Sequence, residues 1–547
     1  MRSFSIFTRE AGVDVSLLFR LRATLRSFLT GANAVGLIGA ALALGCLLTL
    51  PAPWNIRLPI YLILSVWVLL RPQVALYLLP LSIPWGALDY ISLGSLRLNS
   101  TDILVILLAA SWLAGHVLRS GNATNGPRGY ERQAVPPLLL VGLAVLLISM
   151  LVSMTVAISV KSSVKEIFKW VEVLIVVVAG SSYIRTRRQG WTIVIFSLVA
   201  ALSQAALGYY QELFNIGPSS FVRGESLRVY GTFNQPNPYA GYINLSLPIA
   251  LALTIASGKK QTRWLAAGVS VLLALAEFFS QSRGGWLALI TAVLLILLVG
   301  LPSLRPFWRL LIVGFWALVE SILIGIIPQN LFIPLLNFIG VNNISFTQPS
   351  AQQYATAERL AHWLAGIHMF LDHPWLGVGI GNYGDAYPRY AIGIFVIPLG
   401  HAHNYFINVA AEMGLLGLIA YTFFVVVIAG LSARAYHRLR RAYWELAASP
   451  ASNSVGVSAL RWKQRLAHLG NDQALALGIV AALLTVLVHN MVDNLYVQGM
   501  TNLMALLLIV LLRLERLTLA EHQQQGQRDS NPTRAAIQNE PTLAART

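Results

Sequence analysis

Charged residues are scarce in this sequence. Only 11% of the 547 residues are charged, whereas 56% are hydrophobic, and the mean hydropathy is +0.65. Soluble domains carry about a quarter charged residues, so this composition excludes an ordinary soluble protein. The sequence contains many runs of about 20 apolar residues, each long enough to cross a bilayer core as a helix. No strand-length alternation is visible, and backbone groups in lipid must bond within their own segment, so helices are the expected spanning form.

Cysteine and the signatures of familiar cofactor sites are also missing. The single cysteine, Cys46, lies inside an apolar run, so the chain cannot form an intramolecular disulfide. A glycine-rich turn follows His373 (HPWLGVGIGNY), but no Walker lysine comes after it, so the turn is weak evidence for phosphate binding. We therefore expect no cofactor.

Negative charge is in deficit, and the formal net charge is +17. In a soluble domain this excess would suggest a nucleic-acid partner. Here the basic residues lie in short loops between apolar segments, where they control membrane topology. The expected partner of the bulk of the chain is therefore a lipid bilayer, and no nucleic acid is expected.

The apolar runs predict an all-α, polytopic membrane bundle of about 12–14 spans, with one large external loop that contains amphipathic helices. We place the spans at roughly 34–52, 55–70, 73–90, 102–118, 136–158, 164–183, 189–211, 239–257, 263–280, 284–300, 307–327, 405–433, 474–491 and 497–514. The predicted regions are a basic amphipathic cytoplasmic segment (1–33), a transmembrane region (34–327), the external loop (328–404), a second transmembrane region (405–514) and a disordered cytoplasmic tail (515–547). The first of these lacks the compact apolar core of a cleaved signal peptide.

The distribution of basic residues supports this arrangement. If the N-terminus is cytoplasmic, the cytoplasmic turns should be basic. The clusters on that side are Arg71; Arg119, Arg128 and Arg132; Arg185, Arg187 and Arg188; Lys259, Lys260 and Arg263; Arg305 and Arg309; and the arginines of 434–473. Arg223, Arg228, Arg283 and Arg359 remain on the outer side with His403. Several arginines there run against the topological rule, and an anionic ligand is the simplest reason for them.

Two of these arginines lie at breaks between predicted spans. Arg228 precedes a turn-rich re-entry into the membrane (RVYGTFNQPNPYAGY), in which Asn237 can hydrogen-bond local backbone. Arg283 lies in SQSRGGWL, where one span ends and the next begins, and free N–H groups at a helix start favour an anion. The alternatives are a loop that caps a helix for Arg228 and an arginine that snorkels to lipid headgroups for Arg283.

The external loop contains the third arginine. Residues 355–371 have helical spacing, with Arg359 near the start and an apolar stripe suited to the membrane surface or to the bundle. The stripe consists of Leu360, Trp363, Leu364, Ile367 and Leu371.

The loop ends on His401-Ala402-His403-Asn404, at the start of the next apolar segment. A neutral imidazole near pH 7 can take a proton from a hydroxyl nucleophile. One alternative is a metal site, because His-x-His occurs in such sites, but no cysteine or close acidic ligand accompanies the pair in sequence. The other is an interfacial histidine that caps a helix.

Three more polar residues are supporting candidates beside Asn237 and Asn404. Glu412 lies near the start of a span and is a rival proton acceptor. His489 and Asp493 lie one helical turn apart near the outer end of another span, and we expect them to orient each other rather than to act directly.

Taken in order, these motifs resemble the O-antigen ligase and O-antigen polymerase superfamily of bacterial envelope glycosyltransferases. The resemblance covers roughly 228–420 and the general topology. It rests on RVYGTFNQPN, on SQSRGGWL, on ERLAHWLAGIHMFLDHPWLGVGIGNY and above all on HAHNYFINVAAEMGLLG. One departure is Ala420, where family members often carry a glycine.

The resemblance implies a metal-independent, inverting glycosyl transfer at the outer face of a bacterial cytoplasmic membrane. It implies a glycan on undecaprenyl diphosphate as donor, and a hydroxyl of another glycan, of lipid A core or of a protein as acceptor. His403 would be the catalytic histidine, and Arg228, Arg283 and Arg359 would hold the diphosphate. The chain has no Asp-x-Asp motif for a metal-bound sugar nucleotide, which fits a lipid-linked donor.

Two other functions remain open from the sequence. A transporter of a small anion such as bicarbonate would place polar residues and broken helices at the midplane within internal repeats, and no clear repeat is visible. A non-catalytic scaffold for polysaccharide export would leave the outer arginines unexplained.

Overall fold

The computed structural model describes residues 54–88, 90–93, 96–120, 135–301, 344–350, 353–449 and 457–530, together with isolated positions between 303 and 321. The predicted N-terminal segment, the span at 34–52, most of the span at 307–327 and the beginning of the predicted external loop lie outside these residues. The chain divides into two compact units, Met1–Pro127 and Arg128–Thr547.

The first unit consists of three helices and a hairpin. Its elements are α1 (Trp54–Leu70), α2 (Gln73–Trp85), β1 (Tyr90–Leu93), β2 (Leu96–Asn99) and α3 (Ser100–Ser120). Pro72 separates α1 from α2, because proline has no N–H to continue a helix and is suited to a helix start. The antiparallel pair β1–β2 was not predicted from the sequence.

The second unit is also mostly helical. Its elements are α4 (Pro137–Ser153), α5 (Val160–Tyr183), α6 (Arg187–Leu213), β3 (Val222–Arg223), β4 (Ser226–Leu227), α7 (Pro236–Ile243), α8 (Leu247–Ala256), α9 (Lys260–Ser280), α10 (Arg283–Gly300), α11 (Tyr354–Asp372), α12 (Tyr383–Ala386), α13 (Tyr405–Ala447), α14 (Val457–His489) and α15 (Met500–Ser530). Strands β3 and β4 form a second small antiparallel hairpin.

The helices confirm a polytopic membrane protein. Among the described residues, seven helical segments are long and apolar enough to cross a bilayer. They are Pro137–Val156, Arg187–Leu213, Pro236–Ala256, Lys260–Ser280, Arg283–Gly300, Tyr405–Ala447 and Ala459–His489. Three shorter apolar helices lie in the first unit, at Leu58–Leu70, Gln73–Trp85 and Ser100–Gly115.

Helix α14 lies at the centre of the second unit. It packs against α8, α10 and α13, while α13 packs against α4 and α15 against α5. Gly478 lets α14 approach α8 closely, because a Cβ at that position would lie 2.6 Å from the Cα atom of Ile249. Small residues at helix contacts are the usual means of packing helices within a membrane.

The two ends of α14 carry different chemistry. Near one end, the guanidinium of Arg187 pairs with Asp472 and donates to the carbonyl of His468. The other end is His489, which lies against the start of α10. At about 1.5 Å per residue, the helix from His468 to His489 is roughly 30 Å long, which matches the thickness of a hydrocarbon core. The basic turns around Arg187 therefore lie one membrane thickness away from His489.

Helix α11 confirms the helix predicted at 355–371, but its buried face is a different one from the bulky stripe. The buried residues are Ala357, Ala361, His362, Ala365, Gly366 and Met369. Ile367 and Leu371 of the predicted stripe are exposed. Small residues allow α11 to approach the bundle closely, since a Cβ on Gly366 would lie 2.7 Å from the Ile407 side chain. Ile367 and Leu371 are left free to face lipid, whereas Trp363 of the same stripe is half-buried and bonds to the loop of His403.

The prediction of a disordered tail from residue 515 is wrong for its first part, because α15 continues to Ser530. Two contacts hold this part of the helix. Glu515 pairs with Arg438 of α13 at 2.6 Å, and the Thr518 hydroxyl donates to Asp472 of α14 at 2.7 Å. These partners are distant in sequence, so local composition could not reveal them. Residues 531–547 lie outside the described part of the chain.

Candidate active site

Arg228 leaves the β3–β4 hairpin and points its guanidinium towards the break between α9 and α10. Its Nε donates to the carbonyl of Ser280 at 3.3 Å, and its Nη2 donates to Asn237 Oδ1 at 3.2 Å. Burial, followed by the positive charges of Arg223, Arg359 and Arg283, lowers the pKa of Arg228 to about 10. The guanidinium is therefore charged at neutral pH, and its bond to the carbonyl of Ser280, the last residue of α9, also caps that helix, as the sequence-based alternative expected.

Arg283 is the first residue of α10, and the tight turn before it depends on local backbone conformation. Gln281 ends α9 in the left-handed region, with φ 49°. Ser282 then caps α10, because its side chain accepts from Gly285 N at 3.2 Å, and its hydroxyl donates to Asn237 Oδ1 at 3.0 Å. Asn237 thus ties Arg228 to the start of the helix that carries Arg283.

Arg359, near the start of α11, completes a group that we call the arginine cluster: Arg223, Arg228, Arg283 and Arg359. The other three members all act electrostatically on Arg228. Asp493 is the acidic residue that acts on Arg228 in the opposite sense. Four guanidiniums outnumber the carboxylates of Asp493 and Glu358 beside them, so positive charge is left in excess, which suits an anionic ligand.

The backbone of His403 is held in an uncommon conformation. Its φ is 51°, in the left-handed region that side chains other than glycine rarely adopt. Two hydrogen bonds fix it: His403 N donates to His401 Nδ1 at 3.1 Å, and Trp363 Nε1 of α11 donates to the His403 carbonyl at 3.0 Å. Such strain is concentrated at functional sites.

Asn404 supports His403 from the other side. Its side-chain oxygen caps α13 by accepting from Phe406 N at 3.0 Å and Ile407 N at 3.1 Å. Its amide nitrogen donates to the carbonyl of Met491 at 2.8 Å. The same side chain therefore starts the helix and joins it to the segment that follows α14.

Asp493 connects the imidazole with the arginine cluster. Its Oδ1 lies 3.2 Å from His403 Nδ1, and its Oδ2 accepts from Asn237 Nδ2 at 2.7 Å. Burial alone would raise the pKa of the Asp493 carboxyl, but the hydrogen bond and charge of His403 and the charges of His401 and Arg359 hold that pKa well below its ordinary value. An ionised carboxylate only accepts, so Nδ1 of His403 donates to it, and the neutral form of the ring would keep a lone pair on Nε2.

Two other histidines surround His403. The His401 ring lies 4.4 Å from the His403 ring, and the His362 ring lies 5.6 Å from it and stacks on Tyr387 at 4.3 Å. Burial, followed by the positive charge of His403, lowers the pKa of His401 and of His362 to about 4. Both rings are neutral at neutral pH, which lets His401 Nδ1 accept from the His403 backbone.

Glu412 and His489, two further candidates from the sequence, make their described side-chain contacts with residues other than His403. Glu412 Oε1 accepts from Tyr383 N at 3.1 Å, and its carbonyl accepts from Gly379 N at 3.0 Å. Glu412 thus supports the glycine-rich turn. The His489 ring lies against Gly284. The side-chain hydrogen bonds described for Asp493 join it to His403 and Asn237. The predicted orientation of His489 by Asp493 is replaced by pairing of Asp493 with His403.

Two histidines and one carboxylate of this site are close enough together to hold a metal ion, which the sequence did not reveal. Donor atoms of His401, His403 and Asp493 all lie within 4.8 Å of one another. The acidic partner missing from the sequence neighbourhood of the histidines is therefore supplied by Asp493. The positive charge of Arg359 acts on both His401 and Asp493, which opposes the binding of a divalent cation there.

Two members of the site were underestimated from sequence. Asp493 lies 90 residues from His403 along the chain, so no local spacing connects the two. Arg223 was noted on the outer side but was not assigned to the site. Its place directly before the two-residue turn of the β3–β4 hairpin gave no signal that its charge would act on Arg228.

Comparison with known proteins agrees with the motifs. The family model described as O-Antigen ligase matches residues 268–422, a segment that contains Arg283, Arg359 and His403. Arg228 precedes this segment and Asp493 follows it. No curated protein matches the chain. The match confirms the resemblance inferred from the sequence: this chain is a polytopic membrane protein in which residues 268–422 are similar to the O-antigen ligase family.

Proposed function

We propose that this protein is a glycosyltransferase that transfers or polymerises a glycan from undecaprenyl diphosphate onto a hydroxyl acceptor at the outer face of the bacterial cytoplasmic membrane. The observation that carries the proposal is the hydrogen-bonded series from Arg228 through Asn237 and Asp493 to His403. This series joins a positively charged cluster to an imidazole that is oriented by a carboxylate. The acceptor is a hydroxyl of another glycan, of lipid A core or of a protein.

The arginine cluster would bind the diphosphate of the donor. When the bond from the anomeric carbon to the diphosphate oxygen breaks, its electron pair leaves with the diphosphate, whose charge increases. Guanidiniums held in place beforehand stabilise such developing charge without the need to reorganise. This role does not require a metal, so the transfer is expected to be metal-independent.

His403 would activate the acceptor. As the acceptor oxygen forms its bond to the anomeric carbon, its proton passes to Nε2 of His403. Asp493 holds the ring by Nδ1 and stabilises the imidazolium that forms. Two side chains, Asn237 and Asp493, separate the Arg228 guanidinium from the His403 ring. If the diphosphate lies on the arginine cluster and the acceptor beside His403, the acceptor oxygen attacks the anomeric carbon on the face opposite the leaving diphosphate. An attack from that face inverts the configuration of the anomeric carbon.

The orientation in the membrane follows from charge. The basic turns around Arg187 and Lys259 lie at the end of α14 that carries Asp472 and Asn471. By the positive-inside rule this end is cytoplasmic. The active site at the opposite end of α14 would then face the exterior, where a polyprenyl-linked glycan is presented.

The direct test uses purified protein in nanodiscs, undecaprenyl-diphosphate-linked glycan and candidate acceptors. We expect transfer that is unchanged by EDTA, and the size distribution of products would separate ligation to an acceptor from polymerisation. Activity that EDTA abolishes and Zn²⁺ or Mg²⁺ restores would contradict a metal-independent reaction. Flux of a small anion in proteoliposomes without any glycosyl transfer would favour a transporter.

Replacement of Arg283 by glutamine is expected to lower the rate of transfer about a hundredfold, because a charge that stabilises the leaving diphosphate is lost. The matched control is Arg441→Gln, since Arg441 is an exposed arginine whose partner, Glu445, lies on the same helix. Initial rates at saturating donor would be compared. An arginine that only contacts lipid headgroups would leave this rate unchanged in the variant.

A further inference from the structure

A second recess lies away from the arginine cluster, between the end of α4 and the segment that follows α11. It has a cavity volume of about 550 Å³, within the usual range for small-molecule sites. The lining residues that matter here are Val156, Ile158, Asp372, Trp375, Arg389 and Tyr390. We call this recess the Trp375 cavity.

Trp375 presents an aromatic ring to this cavity from a rigid backbone. The side chain is 65% exposed, so a face of its ring is open to a ligand. Its backbone is fixed, because Leu415 N donates to the Pro374 carbonyl at 2.7 Å and α13 contacts the Trp375 backbone at Gly414. Gly414 has φ 61°, so this close contact depends on glycine.

The polar groups of the cavity carry both signs of charge. Asp372, at the end of α11, interacts with the hydroxyl of Tyr390, and Arg389 is close enough to act on the same ring. Asp372 and Arg389 are exposed. A carboxylate and a guanidinium together offer acceptors and donors without a net charge. This balance differs from the arginine cluster and suits a neutral ligand rich in hydroxyl groups.

The cavity is separated from His403 by about half the length of α11. Trp363, whose indole donates to the His403 carbonyl, lies at the middle of the helix, and Asp372 is its last residue. From Trp363 to Asp372 the helix advances roughly 14 Å at about 1.5 Å per residue. The α4–α5 turn lines the cavity through Ile158, and it is joined to the segment after α11 because Ser159 N donates to Asn382 Oδ1 at 2.5 Å.

We propose that the Trp375 cavity binds saccharide, namely the part of the glycan several sugar units away from the bond that is formed. The Trp375 ring would cover the apolar face of a sugar, while Asp372, Arg389 and Tyr390 would hydrogen-bond its hydroxyl groups. The inference rests on the proposed function, because it takes the ligand to be the glycan of that reaction. A site at this distance holds a long chain while its end reacts at His403.

The test measures binding of a glycan that lacks the diphosphate. The probe is the surface polysaccharide of the source cell, released from its lipid by mild acid and added to the full-length protein in nanodiscs. Saturation-transfer NMR and calorimetry would give the Kd. We expect Trp375→Ala and Arg389→Gln each to weaken binding about tenfold, which corresponds to the loss of one aromatic or charged contact. Trp375→Phe should retain most of the affinity, because it keeps a ring face.

Trp264→Ala is the matched control, because Trp264 is 71% exposed and lies outside this cavity. Its affinity should equal that of the wild type. Unchanged affinity in Trp375→Ala, or no binding by the wild type, would overturn the saccharide site even if transfer occurs. Glycan binding that depends on Trp375, in a protein that transfers nothing, would support the site and count against the proposed reaction.

Discussion

Replacement of His403 by asparagine is expected to slow glycosyl transfer about a hundred- to ten-thousandfold, the usual cost of removing a positioned general base. Asparagine can hydrogen-bond Asp493 but cannot take a proton from the acceptor hydroxyl. The loss should appear in the maximal rate, with donor binding little changed, because the diphosphate is held by the arginine cluster. Initial rates and donor affinity, measured separately in nanodiscs, would show this division.

Asparagine is chosen over alanine because of the backbone. His403 has φ 51°, and asparagine adopts this left-handed region more readily than other residues with a side chain. An alanine there would add backbone strain and would mix a folding effect with the chemical one. The asparagine variant therefore isolates the imidazole.

His368→Asn is the control for this experiment. His368 is an exposed histidine on α11, within the same segment but on the surface, and its replacement should leave the rate unchanged. Full activity in a well-folded His403→Asn would remove His403 as the base. Attention would then turn to Glu358, a carboxylate on which His403 and Arg359 both act electrostatically.

Replacement of Asp493 by asparagine is the second large effect, and we expect a loss of at least about a hundredfold. An amide at this position can donate to Nδ1 of His403 and so favour the tautomer whose Nε2 is already protonated. The substitution also removes the negative charge of Asp493, which stabilises the imidazolium of His403. The hydrogen bond from Asn237 would weaken as well, which loosens the link to Arg228.

The pH profile separates this role from a merely structural one. The pKa of the Asp493 carboxyl is held well below its ordinary value, so the carboxylate stays ionised from mildly acidic to alkaline pH and adds no limb of its own to the profile. The transfer rate should fall at acid pH, where a protonated His403 cannot act as base. In Asp493→Asn this fall, the acid limb of the profile, should move to lower pH, because the imidazolium loses the carboxylate charge that stabilises it. A lower rate with an unshifted limb would indicate disturbed packing instead.

Asp385→Asn provides the matched comparison. Asp385 is an exposed carboxylate that accepts from the Ser162 hydroxyl at 2.9 Å, outside the His403 group. The Asp385→Asn substitution should change neither the rate of transfer nor the pH at which the rate falls. Wild-type activity in Asp493→Asn would contradict the orienting role, and the hydrogen-bonded series from Arg228 to His403 would lose its functional meaning.

Hydrophobic length and charge are local properties, so they could be read along the chain. Apolar runs predicted most described helices within a few residues, including the break at Pro72 and the tight turn before Arg283. The excess of outer arginines also predicted Arg228, Arg283 and Arg359 as candidate ligands of an anion before any geometry was known. His403 could be selected because a histidine pair at the start of a helix is a local pattern.

Only the tertiary structure decided which residues meet. Asp493 pairs with His403 across 90 residues because the segment after α14 lies beside the start of α13. Sequence spacing favoured its neighbour His489 instead. For the same reason Glu412 supports the glycine-rich turn, α11 buries its small residues rather than its bulky stripe, and α15 extends to Ser530. Each of these depends on where helix ends and faces meet in the folded bundle, and the periodicity of a single segment carries no information about that.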